Sequence, residues 1–245
     1  MNPSPYPTPF RSAHTRASIV KILLIVGGIV TAISFLAEAL TLAFPPLRDD
    51  QELGDNPMGA ALVLIVFLLA VIDFFIFVAT VVVFLMWLYR AHDNLRTFDR
   101  SRPLDHSAGW AVGSFFIPFV NLVVPYRAVK EVWQKSGPPD EALFAEPSPP
   151  AWFPVWWTFW LLSSFASNLS LRLSFNEGVP ENAATIVSIV ASGLSTLAAL
   201  FAFIVVDAID KRQEETSRNL RLGKYSVPPP PPATMPMSDF VAPMS

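Results

Sequence analysis

One aspartate and two asparagines sit where polar side chains are expensive. Asp73 lies at the midpoint of the apolar run Met58 to Leu88, Asn121 near the centre of the run Gly109 to Tyr126, and Asn168 late in the run that begins at Trp152. An ionised carboxylate at the centre of a bilayer costs about 2.5 to 3.5 kcal/mol on insertion scales. Two chemistries would compensate. Asp73 can serve as a proton or cation site facing a bundle interior, or it can be a carboxyl that ties its helix to Asn121, Ser167 or Asn168. The remaining reactive types give less. His92 and His106 are 14 residues apart and His14 is remote, so no metal-ligand spacing arises, and the chain has no cysteine for thiolate chemistry or disulfides. Asp49, Asp50, Glu52 and Asp55 read as a solvated loop rather than a calcium site. No phosphate-cradling glycine loop and no Gly-x-Ser-x-Gly elbow is present. The expectation is a protein without catalytic residues, cofactor or metal.

The elements that would position these residues are membrane helices. Of 245 residues, 52% are hydrophobic and 15% charged, and mean hydropathy is +0.44; soluble domains carry about 25% charged residues. The net charge of −3 offers no basic field for nucleic acid. Most of the 24 prolines fall outside the apolar runs, and Pro118 alone interrupts one. Spans are expected at about 22–44, 58–88, 152–171 and 183–206. The second would be about 46 Å long against a hydrocarbon core of about 30 Å. It should leave the bilayer and continue as an amphipathic helix through WLYRAHDNLRTF, with Leu88, Ala91, Leu95 and Phe98 on one side. RAVKEVWQKS, from Arg127, reads as a second amphipathic helix.

Basic residues decide how the interrupted run is counted. If 109–126 crosses the membrane, the 17 basic residues divide 8 inside and 9 outside; if it enters and leaves by one face, 15 are inside and only Arg48 and Arg172 outside. Basic residues flanking spans are retained on the cytoplasmic side. The expected fold is therefore an all-α polytopic membrane bundle with four transmembrane helices, a re-entrant or interfacial helical hairpin at 109–126, cytoplasmic amphipathic helices, and both termini cytoplasmic. In that hairpin Pro118 breaks the helix and Asn121 is placed to satisfy backbone groups opened at the turn. Residues 1–18 and 223–245 read as disordered Pro-rich ends flanking a membrane domain at 19–222.

Secondary features have packing explanations. Ser163, Ser164, Ser167, Ser170 and Ser174, then Ser188, Ser192 and Thr196, suit close helix contacts, as do Gly28 and Ala32. Trp152 and Trp156 fit an interfacial aromatic belt, with Trp160 deeper. Glu38 falls near the outer interface.

The stretch from Trp87 to Trp133 resembles the bacterial membrane-protein family catalogued as domain of unknown function 4328. The matching residues are Trp87, Arg90, Asn94, Trp110, Pro118, Asn121, Pro125 and Trp133. The resemblance implies a multi-pass protein of the bacterial inner membrane and implies no activity. On function the sequence leaves two readings. The first is a non-enzymatic interaction or regulatory component that meets anionic headgroups at the cytoplasmic face and a protein partner or second copy. The second is a small transporter or channel centred on Asp73.

Overall fold

A computed structural model of the chain describes residues 10–43, 57–98, 103–138, 147–176, 178–180 and 182–224. The acidic loop Asp49 to Asp55 and the Pro-rich tail beyond Lys224 lie outside the described residues, as do residues 1–9. The regular structure among the described residues is helical, with no strand: α1 (His14–Ala43), α2 (Pro57–Asp93), α3 (Leu95–Phe98), α4 (Ala108–Gly113), α5 (Val124–Lys135), α6 (Trp152–Ser174) and α7 (Ala183–Arg221). Two 3-10 turns, Ser114–Phe116 and Val120–Leu122, join α4 to α5.

Local sequence explains the boundaries. α2 opens on Pro57, whose missing N–H would be unsatisfied in the first turn anyway. α4 begins where the Ser107 hydroxyl accepts the Trp110 N–H at 3.1 Å, an N-cap. α1 begins at His14, inside the stretch 1–18 read from sequence as disordered, because Ala13, Ala17 and Val20 are buried and Lys21 is held by Asp207.

Three helices are long and apolar enough to cross a membrane: α1, the long helix beginning with α2, and α7. At about 1.5 Å per residue, α2 and α7 are about 55 and 58 Å long, so both exceed a hydrocarbon core of about 30 Å. α6, at 23 residues, is about 35 Å long, but Ser163, Ser164, Ser167, Asn168 and Ser170 dilute its apolar character. The long helices pack in a row, α2 against α1, α1 against α7, and α7 against α6. Small residues let them approach: a Cβ on Gly27 would stand 3.1 Å from Ile76 of α2, and one on Gly28 3.7 Å from Ala199 of α7.

The interrupted run 109–126 is not one helix. After six residues of α4 and the first 3-10 turn, the chain reverses at Pro118 and Phe119, where Phe119 takes φ 64, and returns into α5. Val120 N–H bonds to Pro118 O at 2.8 Å and Asn121 N–H to Ile117 O at 2.9 Å. The buried Oδ1 of Asn121 has no hydrogen-bond partner, so it accepts no backbone N–H at the turn. The turn carbonyl of Leu122 is satisfied from another helix, by Trp157 Nε1 of α6 at 2.9 Å.

The buried core lies toward one end of the row, here termed the base. Trp87, Leu88, Ala91, Leu95, Phe98, Val129, Val132, Phe153, Trp156, Val205, Val206 and Ile209 pack together there.

Candidate interaction site at the base of the bundle

The base is assembled from chain segments far apart in sequence and locked by polar side chains. Gln213 of α7 is 2% exposed and its amide donates to Ala91 O of α2 at 2.8 Å and to the Ser136 hydroxyl at 3.0 Å. Asn94, the residue after α2, donates to Arg11 O at 3.1 Å, while its side-chain oxygen receives the Arg11 N–H. Thr216 donates to Ser136 O at 2.9 Å. The start of α1, the end of α2, the end of α5 and the far end of α7 therefore meet at one place. α6 begins there too, with Phe153 edge-on to Trp133 at 5.8 Å.

Glu131 closes the mouth of the hairpin. It lies on α5, 3% exposed, and accepts the Asp105 N–H at 2.6 Å and the His106 ring nitrogen Nδ1 at 2.7 Å, both from the strand of chain leading into α4. Lys135, one turn along α5, bonds Glu131 at 2.9 Å and Pro103 O at 2.6 Å. His92 Nε2 of α2 stands 3.6 Å from the same carboxylate, an electrostatic contact rather than a hydrogen bond. Burial pushes the Glu131 carboxyl up, but the imidazoles, the ammonium and the amide overcome it and hold the group down at about 2. A carboxylate so fixed clamps entry and exit of the hairpin together, with both ends at the base.

A second charged group joins α1 to α7. Lys21 bonds Asp207 at 2.9 Å and lies 3.6 Å from the buried Asp210, which His14 also contacts at 2.8 Å. Lys211 covers Asp207 from outside at 2.7 Å. Ser12 donates to Glu214 beside this group.

The residues singled out from sequence fall in three places. Asp73 accepts a hydrogen bond from Thr31 of α1 at 3.0 Å, so the residue it meets is one the sequence did not nominate. Asn168 donates to Ser164 O of its own helix at 2.8 Å and is exposed. Asn121 lies in the hairpin turn. No hydrogen bond joins any two of these three among the described residues. The motif residues, by contrast, gather around the base and hairpin. Trp87 is fully buried against Phe84, Arg90 pairs with Asp93 at 3.9 Å, and Asn94 binds the Arg11 backbone. Trp110 sits in the first turn of α4, Pro118 turns the hairpin, and Pro125 enters α5. Trp133 carries the Arg212 guanidinium over its ring at 4.5 Å.

Several contributors were not visible in sequence. His92 and His106, unrelated by spacing, converge on one carboxylate, and Gln213 had no signal beyond lying in a polar helix end. Trp156, expected in an interfacial aromatic belt, is 4% exposed and packs inward with Trp157, which is 6% exposed. Phe115 of the hairpin lies 6.0 Å from Phe84 and 6.5 Å from Trp157, so the hairpin is wedged between α2 and α6. Glu38, expected at the outer interface, accepts a hydrogen bond from Ser188 of α7 at 3.0 Å.

These features define an all-helical protein with three helices of membrane-crossing length and apolarity, whose polar chemistry is concentrated in a side-chain lock at one end. The chain belongs to the family described as Domain of unknown function (DUF4328), whose model matches residues 53–211. That match leaves out α1, although α1 lies between α2 and α7. No curated protein and no solved structure matches the chain.

Proposed function

We propose that this protein crosses the bacterial inner membrane four times, through α1, α2, α6 and α7, and acts there as a non-enzymatic interaction or regulatory component. The observation that carries the reading is the convergence at the base. The beginning of α1, the end of α2, both ends of the hairpin, the beginning of α6 and the end of α7 share one end of the molecule, as four crossings and one re-entrant excursion require. The hairpin tip extends from this base alongside apolar helix. Phe115 packs on Phe84, which precedes the base residue Ala91 by seven positions, about 10 Å along α2. With 15 of the 17 basic residues assigned to the base side, that side is cytoplasmic.

The base then presents a rigid platform with lipid headgroups around it and a cytoplasmic protein partner or a second copy as its binding targets. The Pro228 to Pro232 run is suited to an extended peptide contact. Asp73 serves as an interhelical tie to Thr31 in this reading. Single cysteines test the topology, since the natural chain has none. Ser148→Cys and Ser238→Cys should both be shielded from an impermeant thiol reagent outside intact cells, whereas Gly178→Cys in the α6–α7 turn should react. Labelling at both 148 and 238 would mean five crossings and overturn the proposal.

A further inference from the structure

The side of the hairpin that does not face α2 and α6 carries an apolar tip and a cationic collar in immediate succession. Phe116 is 70% exposed and Phe119 86%, and Ile117, Leu122 and Val123 are exposed beside them. The positive φ of Phe119 is a backbone state that side chains other than glycine seldom adopt, and here it turns an aromatic ring outward at the apex. From the tip the chain passes Val123 and enters α5, where Arg127, Lys130 and Gln134 follow Val123 at helical spacing while Ala128, Val129 and Val132 are buried on the other side.

Arg127 and Lys130 differ from the cations that lock the base. Lys21, Lys135, Lys211 and Arg90 each have a carboxylate within reach. Among the described residues neither Arg127 nor Lys130 has one. Phe119 precedes Arg127 by eight positions, about 12 to 16 Å at the rise of helical turns. That separation exceeds the depth of about 5 to 10 Å to which interfacial apolar groups enter the acyl boundary, so the tip can reach acyl chains while the cation stays at headgroup level. Apolar surface below and unpaired positive charge above match the two halves of a phospholipid, and the charge selects an anionic one.

We propose that this outer side of the hairpin and α5 is a binding site for an anionic phospholipid of the leaflet on the base side, with acyl chains beside Phe116 and Phe119 and the phosphate between Arg127 and Lys130. The site rests on the reading that the hairpin dips into lipid. A basic residue near an anionic surface favours binding by about fivefold, so two give about 25-fold at most.

The test uses the full chain with Val123→Cys as its single thiol, labelled with bimane and reconstituted into vesicles. Bromine on the acyl chains quenches the dye on contact. Brominated phosphatidylglycerol should quench several-fold more strongly than brominated phosphatidylcholine at equal mole fraction. Adding Arg127→Gln and Lys130→Gln should equalise the two lipids, while removing the same charge by Arg218→Gln and Arg221→Gln should leave the preference intact. Equal quenching in the parent protein, or a preference that survives the Arg127/Lys130 change, would overturn the lipid site and leave the re-entrant hairpin standing. Absence of quenching by either lipid would remove the hairpin from the bilayer and overturn both.

Discussion

Replacing Glu131 with glutamine should destabilise the base by about 3 kcal/mol, and two independent routes lead to that figure. At about 1.4 kcal/mol per tenfold change in proton affinity, holding the carboxyl at about 2 instead of its ordinary 4.5 corresponds to about 3 kcal/mol in favour of the folded state. Removing one member of a buried ion pair costs about 3 to 5 kcal/mol, because the survivor stays buried without that counter-charge; Lys135, 7% exposed, would be that survivor, left with only the exposed Asp105 carboxylate 4.0 Å away. Because the folded protein binds the Glu131 proton less tightly than the unfolded chain, the contribution is complete above about pH 4.5 and is lost as pH falls toward about 2. The assay is thermal unfolding of purified protein in detergent, followed by near-ultraviolet circular dichroism of the buried tryptophans. At pH 7 Glu131→Gln should lower Tm by about 6 to 12 °C, taking about 2 to 4 °C per kcal/mol for a chain of this size. Between pH 6 and pH 3 the parent protein should lose stability more steeply than the variant. Pairing the change with Lys135→Met should recover part of the loss, since no buried charge then lacks a partner. A Tm change under about 2 °C, well below the expected shift, or identical acid sensitivity in parent and variant, would refute the clamp.

Three further perturbations probe other parts of the bundle. Gln213→Leu removes the donor for Ala91 O and the Ser136 hydroxyl and should cost about 2 kcal/mol or more, measured by the same unfolding assay. Gly27→Leu forces a side chain into Ile76, against which even a Cβ stands at 3.1 Å, whereas Gly28→Ala meets Ala199 at an ordinary 3.7 Å; only the former should lower Tm substantially. Asp73→Asn retains an acceptor for Thr31 and should leave Tm near that of the parent, while Asp73→Leu should lose about 1 kcal/mol, the scale of an interhelical hydrogen bond in a membrane. Proton flux in reconstituted vesicles that disappears in Asp73→Asn would show instead that the carboxyl works as a transport site.

Apolar run length sets the long helices by itself, because backbone groups in a lipid environment must be satisfied within each segment and helix is the local way to do so. That is why α1, α2 and α7 could be read from composition, and why the interruption in 109–126 was visible at Pro118, which cannot continue a helix. Sequence could not say what satisfies the opened turn. Asn121 was the nearest polar side chain, yet the donor is Trp157, 35 residues away in another helix. Nor could it say which polar groups meet. Asp73 finds Thr31 rather than Asn121 or Asn168 because the row order places α1, not α6, beside α2, and row order is a property of packing. His92, His106 and Glu131 carry no common spacing and come together only when α2, the hairpin entry and α5 are folded onto one end. Local chemistry thus determined the elements of this protein, whereas the contacts between elements, fixed by close approach and by the need to pair every buried charge, decided where its polar chemistry is gathered.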